Sequence, residues 1–259
     1  MRLPAFERGR GERVVVLLHG FLGQGRNLAT LARRWSEAAP ALRIVVPDLG
    51  GHGSAPPPAP GAGLPELAAD VMETAEAAGA REVAIVGHSF GGRVALAALD
   101  RWPERVRRVT LLDIAPGAIA RGVGGSEEVV EILAEAPAEV QDREEMRAWL
   151  AARGLSAPIA AWLMTNLVDA GKAFVWRFDR NALRLLHPHI RRADQWGVVE
   201  RHADRIAAIR GGTSPYVTDA DVARFATLGI AVRTIEGAGH FVHIDAPDAL
   251  LAHLGEISG

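Results

Sequence analysis

The chain has no cysteine among its 259 residues, which excludes disulfide bonds, thiolate metal sites and a cysteine nucleophile. It also lacks any apolar run near the roughly 18 residues that a membrane-spanning helix requires. The first apolar run, at residues 14–18, is short and follows several arginines, unlike the apolar part of a secretion signal. We therefore expect a cytoplasmic protein without a membrane span.

An excess of charge of one sign is also missing. The 29 basic and 31 acidic residues give a formal net charge of −2, which does not indicate a general attraction to nucleic acid or anionic membranes. Hydrophobic residues make up 49% of the chain, as is typical of a folded protein with a large core. We expect a small-molecule partner and no nucleic-acid partner.

Short apolar runs alternate with longer segments of helical period, which is the pattern of parallel strands buried between helices. Between residues 64 and 78, apolar side chains recur at helical spacing and predict a helix that packs on the sheet. The fold class is α/β, with a mostly parallel central sheet and helices on both faces. Predicted strands lie at residues 14–18, 43–46, 83–86, 109–113, 205–209 and 231–235.

The alternation stops between residues 115 and 201, where we find amphipathic stretches but no convincing strand. These stretches lie near residues 126–133, 142–152 and 158–168. We interpret residues 115–201 as a helical cap, or lid, inserted into a core formed by residues 1–114 and 202–259. Large aromatic rings supply contact area and exclude water, so the cap predicts an apolar substrate pocket, with packing against the core as the alternative for each ring. The candidate substrate-binding residues are Trp149, Trp162, Trp176 and Phe178.

A Gly-His-Ser-Phe-Gly segment at residues 87–91 follows one predicted strand and precedes a helical stretch at residues 93–99. This context is typical of a nucleophile elbow, a tight strand-to-helix turn that exposes a serine hydroxyl. The flanking glycines are needed because side chains there would collide in so tight a turn. The motif predicts Ser89 as a nucleophile.

The loop at residues 19–23, His-Gly-Phe-Leu-Gly, follows the first core strand and can present a backbone amide toward the elbow. Acyl transfer requires hydrogen-bond donors for the oxyanion of its intermediate. We assign these donors to the backbone N–H groups of Phe21 and Phe90, the latter at a helix N-terminus. His19 is expected to brace the loop.

A late Gly-Ala-Gly-His segment at residues 237–240 follows the last predicted strand. His240 is the predicted general base, because a neutral imidazole can take the Ser89 proton and return it to the leaving group. His243 is the rival, and we expect it to pack beneath the turn.

In this order, His-Gly, Gly-x-Ser-x-Gly and Gly-x-Gly-His resemble the α/β-hydrolase superfamily across essentially the whole chain. More narrowly, three segments resemble small bacterial and mitochondrial esterases and lipase-like abhydrolase-domain proteins: Leu-Asp-Ile-Ala-Pro at 112–116, Trp-Arg-Phe at 176–178 and Gly-Gly-Thr-Ser-Pro-Tyr at 211–216. The resemblance implies the α/β-hydrolase fold and a catalytic triad in the order Ser, acid, His.

The loop at residues 211–216, where most members of the superfamily carry the acid, contains no carboxylate. Asp113 ends a neighbouring strand, so it can reach the imidazole Nδ1–H of His240, and the resembling subgroup implies the same relocation. Asp219, Asp221 or no acid at all are the alternatives. Ser214 lies in the usual place of the acid and is a candidate for a further hydrogen bond to the His–Asp pair.

A serine nucleophile indicates acyl transfer to water. We predict a serine hydrolase of the carboxylesterase type that cleaves esters of short-to-medium apolar acyl groups through an acyl-enzyme. No cofactor is required, and no metal is expected because the His-Pro-His segment at 187–189 lacks a third ligand.

Three other functions stay open at this stage. A thioesterase acting on acyl-CoA-type substrates would use the cap residues Arg177, Arg180 and Arg184 to meet phosphates. A lyase resembling the menaquinone-pathway synthase would use Arg93, four residues after the serine. A non-catalytic ligand receptor would retain only the fold.

Overall fold

The computed structural model describes residues 1–120 and 125–258. Strands lie at Ala5–Arg8 (β1), Arg13–Leu18 (β2), Leu42–Pro47 (β3), Val83–His88 (β4), Val106–Leu112 (β5), Glu139–Val140 (β6), Leu167–Asp169 (β7), Phe174–Trp176 (β8), Ile206–Gly211 (β9) and Val232–Ile235 (β10). Helices lie at Ala29–Ala38 (α1), Leu64–Ala77 (α2), Phe90–Arg101 (α3), Ser126–Glu135 (α4), Arg143–Ala151 (α5), Ala157–Met164 (α6), Arg180–Arg192 (α7), Trp196–Arg201 (α8), Asp219–Thr227 (α9), Val242–Asp245 (α10) and Pro247–Ser258 (α11).

The main sheet has seven strands in the order β1-β3-β2-β4-β5-β9-β10. All six strands predicted from the sequence are present, and they pair in parallel, which confirms the α/β fold class. The edge strand β1 pairs antiparallel with β3 and was not predicted, because four residues with one partly buried side chain carry little pattern.

Helices cover both faces of this sheet because its strands are apolar on both sides. In β2, Val14, Val16 and Leu18 join a core cluster with α2 and α3. The alternate residues Val15 and Leu17 join a second cluster with α1 and α11. This two-sided burial is what a continuous apolar run in a parallel strand predicts.

The segment between β5 and β9 contains helices α4 to α8 and a small antiparallel sheet in the order β6-β8-β7. The prediction that it holds no strand is therefore wrong. Within the amphipathic stretch predicted at 158–168, the helix α6 ends at Met164. Residues 167–169 form the strand β7, which pairs with β8. Strands of two or three residues are too short for periodicity to separate them from a helix end.

Candidate active site

Ser89 lies in the tight turn between β4 and α3, with φ of 52° and ψ of −117°. Residues other than glycine rarely adopt this positive-φ backbone conformation, so the turn holds the serine under backbone strain. A Cβ atom on Gly87 would lie 2.3 Å from the carbonyl of Gly91, and one on Gly91 would lie 2.7 Å from the carbonyl oxygen of Leu18. Glycine is therefore required at both positions: at Gly87 because of the tight turn, as the motif indicated, and at Gly91 because of the close approach of β2.

Asp113 directly follows β5, has φ of 52° and is fully buried. Its Oδ1 accepts a hydrogen bond from the Gly211 backbone N–H at 2.9 Å, at the end of the adjacent strand β9. Its Oδ2 accepts one from the Ser214 hydroxyl and lies 2.6 Å from Nδ1 of His240. The neighbouring position of β5 and β9 thus brings the carboxylate, the hydroxyl and the imidazole together.

The two alternative acids are engaged elsewhere. The side chain of Asp219 is 95% exposed and forms an ion pair with Arg210 at 2.8 Å. Asp221 accepts hydrogen bonds from the backbone N–H and hydroxyl of Thr218 at the start of α9. Both carboxylates therefore serve the local structure around α9.

The imidazole of His240 is held on several sides. With its Nδ1–H directed at Asp113, the neutral ring carries its free lone pair on Nε2. The ring of Tyr216 stacks on it with a centroid separation of 4.0 Å and an interplanar angle of 24°. The Nε2–H of His88 donates to the backbone carbonyl of His240 at 2.7 Å. Sequence reasoning missed both partners, although both lie inside motifs that it quoted.

Three buried histidines around this turn and the first loop remain neutral. Burial, with smaller contributions from the nearby His240 and His243, lowers the pKa of His88 well below its usual value. Burial, with a smaller contribution from His240, lowers the pKa of His243 to about 4. Burial also lowers the pKa of His19, which accepts from the Leu49 N–H at Nε2 and donates from Nδ1 to the Gly20 carbonyl. His19 therefore ties its loop to the loop after β3.

The two residues whose backbone N–H groups are assigned to the oxyanion both line the cavity that contains Ser89. Phe90 is the first residue of α3, so its N–H has no carbonyl partner within the helix. Phe21 lies in the loop after β2, the strand that neighbours β4, and its ring meets that of Phe90 edge-on at 5.8 Å. Both residues line the same cavity as Ser89 and His240.

This cavity has a volume of about 300 Å³ and opens between the sheet and the segment that follows β5. On the side of that segment it is lined by the apolar residues Ile119, Val129, Ile159, Trp162 and Ile190 and by the polar residues Ser126, His187 and Arg191.

The structure brings one of the four predicted pocket aromatics, Trp162, to this cavity. Trp176 stacks on Phe178 at 5.5 Å, and its indole N–H donates to the Pro137 carbonyl. Trp149 packs against the guanidinium of Arg153 at 3.4 Å. These three rings lie outside the cavity lining and pack within the segment instead.

A parallel sheet with a serine elbow after one strand and a histidine turn after the last defines a hydrolase of the α/β type. A family model described as the alpha/beta hydrolase fold matches residues 13–247. The chain therefore belongs to the α/β-hydrolase family.

Similar proteins lie in the esterase subgroup of that family. Esterase YbfF of Escherichia coli (strain K12) is 30% identical over 242 residues, which cover 92% of this chain and 89% of the relative. The sn-1-specific diacylglycerol lipase ABHD11 of Mus musculus is 28% identical over 240 residues, which cover 90% of this chain and 76% of the relative. A solved marine microorganism esterase shares the fold with a TM-score of 0.85 at 21% identity, covering 99% of both chains.

Within the described residues, no helix combines the length and apolar character needed to cross a membrane.

Proposed function

We propose that this chain is a carboxylesterase-type serine hydrolase with Ser89 as nucleophile, His240 as general base and Asp113 as the acid of the triad. The observation that carries the proposal is the hydrogen bond between Asp113 and Nδ1 of His240, beside a cavity shared by His240 and the strained Ser89. The esterase and lipase relatives support the same reaction class.

In the proposed reaction, the Ser89 Oγ attacks the ester carbonyl carbon while its proton passes to Nε2 of His240. The carbonyl electron pair moves onto oxygen, where the N–H groups of Phe21 and Phe90 stabilise it. The intermediate then breaks the carbon–oxygen bond, and the leaving alcohol takes the proton from His240. Water, deprotonated by the same imidazole, attacks the acyl-enzyme; the proton returns to Ser89 and the carboxylic acid leaves.

The proposed substrates are small-molecule esters of short-to-medium apolar acyl groups. A cavity of about 300 Å³ is at the small end of ligand sites, and its lining is largely apolar. We assign residues 1–114 and 202–259 to the catalytic core and residues 115–201 to a cap, because Ile159, Trp162 and Ile190 from that segment line the same cavity as the serine.

The test is the Ser89→Ala variant, assayed on p-nitrophenyl esters from acetyl to palmitoyl together with acyl-CoA substrates. We expect the wild type to prefer short-to-medium esters, to show a burst of p-nitrophenol and to be labelled by a fluorophosphonate. The variant should fold, lose hydrolysis and resist labelling. Retention of hydrolysis by Ser89→Ala would show that another nucleophile operates.

Arg93, which suggested the lyase, and Arg180, one of the three arginines that suggested the thioesterase, are engaged with backbone carbonyls. The guanidinium of Arg93 donates to the backbone carbonyls of Ala115, Gly117 and Ala193. Arg180 similarly donates to the carbonyl of Leu133 within the cap. Both side chains therefore have structural partners already.

A further inference from the structure

Tyr216 is the single tyrosine of the chain and closes a circuit of contacts around the proposed base. Its backbone N–H donates to the Ser214 hydroxyl at 3.3 Å. That hydroxyl donates to Asp113, which holds Nδ1 of His240, and the Tyr216 ring stacks on the His240 ring. Tyr216 thus contacts the face of the His240 imidazole directly. It is connected to Asp113, the carboxylate partner of that imidazole, through the hydroxyl of Ser214.

The stacked ring supplies what the carboxylate alone does not. The hydrogen bond to Asp113 fixes one corner of the imidazole, but the ring can still tilt about that contact. A parallel ring at 4.0 Å restricts the tilt and keeps Nε2 in one direction. The imidazolium formed in the transition state also gains attraction to an aromatic face.

The other end of Tyr216 faces the cap. Its hydroxyl hydrogen-bonds with Ser126, the first residue of α4, and both residues line the cavity. The Ser126 hydroxyl is also contacted by Nε2 of His187 at 3.1 Å and by an Nη atom of Arg191 at 3.0 Å, both from α7. Two helices of the cap therefore hold the hydroxyl that Tyr216 meets.

The groups that face this assembly leave the phenol protonated. Burial raises the pKa of Tyr216, with Asp113 acting in the same direction and Ser126 and Arg191 opposing it. Around His240, the facing titratable side chains are those of Asp113, Tyr216, His88 and His243. The Tyr216 hydroxyl is thus available as a donor across the neutral pH range.

We infer that Tyr216 is a positioning residue: its ring sets the plane of the His240 imidazole, and its hydroxyl connects that imidazole to the cap through Ser126. The inference rests on the proposed role of His240.

The kinetic test compares Tyr216→Phe, which keeps the ring, with Tyr216→Leu, which removes it. On p-nitrophenyl butyrate we expect Leu to lower kcat by about tenfold, which corresponds to about 1.4 kcal/mol, because the imidazolium loses its contact with an aromatic face. KM should change by less than about twofold, and Phe should restore kcat. If Leu does not fold, Tyr216→Met provides a second non-aromatic variant.

The connection to the cap is tested without activity. In protein labelled with ¹³C-tyrosine, Tyr216 gives the only set of tyrosine ring signals. We expect Ser126→Ala to shift these signals and Ser156→Ala to leave them in place. Ser156 is a matched control because it is an exposed cap serine at the start of α6 whose side chain makes no capping bond.

Each outcome decides one part of the inference. Unchanged kcat in Tyr216→Leu, or an equal loss in Tyr216→Phe, would overturn the role of the ring. Unmoved ring signals in Ser126→Ala would overturn the connection to the cap. In either case an inactive Ser89→Ala leaves the proposed hydrolase function standing, whereas an active one would reject that function itself.

Discussion

At the residue scale, backbone strain is concentrated where the chemistry is proposed. Within the described ranges, three non-glycine residues have positive φ: Leu22, Ser89 and Asp113. They follow β2, β4 and β5, which are neighbours in the sheet. Such conformations are unfavourable and persist where surrounding contacts enforce them. The strain therefore fits a site in which three adjacent loops must present defined groups to one cavity.

Asp113→Asn should lower kcat for p-nitrophenyl butyrate by about 10³- to 10⁴-fold, the loss typical when an amide replaces the acid of a Ser-His-Asp triad. The amide favours the wrong imidazole tautomer, while its carbonyl can still accept from Gly211. Steady-state kinetics measure the effect. Asp219→Asn and Asp221→Asn serve as controls and should retain activity. Comparable losses in all three variants would reject Asp113 as the acid.

At the element scale, Arg93 ties α3, the helix that follows Ser89, to two parts of the segment between β5 and β9. It is fully buried on α3, one turn after Ser89. Its guanidinium reaches the carbonyls of Ala115 and Gly117, shortly after β5, and of Ala193, directly after α7. Burial lowers the pKa of Arg93 to about 10, so it stays charged at neutral pH.

Arg93→Met should lower the free energy of unfolding by about 2–5 kcal/mol, because it leaves buried carbonyls without donors. Arg93→Lys should lie in between, since one ammonium cannot reach all three. Urea denaturation followed by tryptophan fluorescence measures this. Arg101→Met, at an exposed position of the same helix, should change stability by about 0.5 kcal/mol or less. Equal effects at Arg93 and Arg101 would show that the buried contacts contribute nothing.

In the proposed cap, Trp162 and Trp149 form a matched pair of the same residue type. Trp162 lines the cavity and lies 5.6 Å from Phe241, whereas Trp149 lies outside the lining. Trp162→Ala should raise KM for medium-chain p-nitrophenyl esters by about tenfold, through lost apolar contact with the acyl group. Trp149→Ala should leave KM nearly unchanged. The same KM shift in both variants would argue against a direct contact of Trp162 with substrate.

At the scale of the whole molecule, buried neutral histidines couple stability to pH. Burial, with a smaller contribution from the nearby His19, lowers the pKa of His52 to about 3. Burial, with a smaller contribution from Arg191, lowers the pKa of His187 to about 4. The unfolded chain takes up these protons near the ordinary pKa of about 6.5, whereas the folded chain does not. The contribution of these neutral histidines to the free energy of unfolding is therefore fully present above about pH 6.5 and is lost as the pH falls below that value.

Urea denaturation between pH 7.5 and 4.5 should show this loss below about pH 6.5, at up to about 1.4 kcal/mol per pH unit for each such histidine. His52→Gln should flatten the dependence. His189→Gln, at an exposed position, should leave it unchanged. An identical pH dependence in wild type and His52→Gln would assign the acid sensitivity to other groups.

Features that depend on neighbours along the chain could be predicted from the order of residues alone. Continuous apolar runs define strands buried on both faces, and all six predicted strands are present. The elbow is local in part, because the steric demand on Gly87 arises within the turn around Ser89, whereas that on Gly91 comes from Leu18 at the end of the neighbouring strand β2. Local geometry of this kind leaves a pattern in the order of residues.

Features that depend on residues distant in sequence follow from how the strands and helices pack. The adjacency of β5 and β9 places Asp113, rather than Asp219 or Asp221, against His240. The packing of the cap brings Trp162 to the cavity and keeps Trp176 away from it. The stack of Tyr216 on His240 joins two separate loops. Contacts across a sheet edge are set by which strands become neighbours, and no periodicity within either segment encodes them.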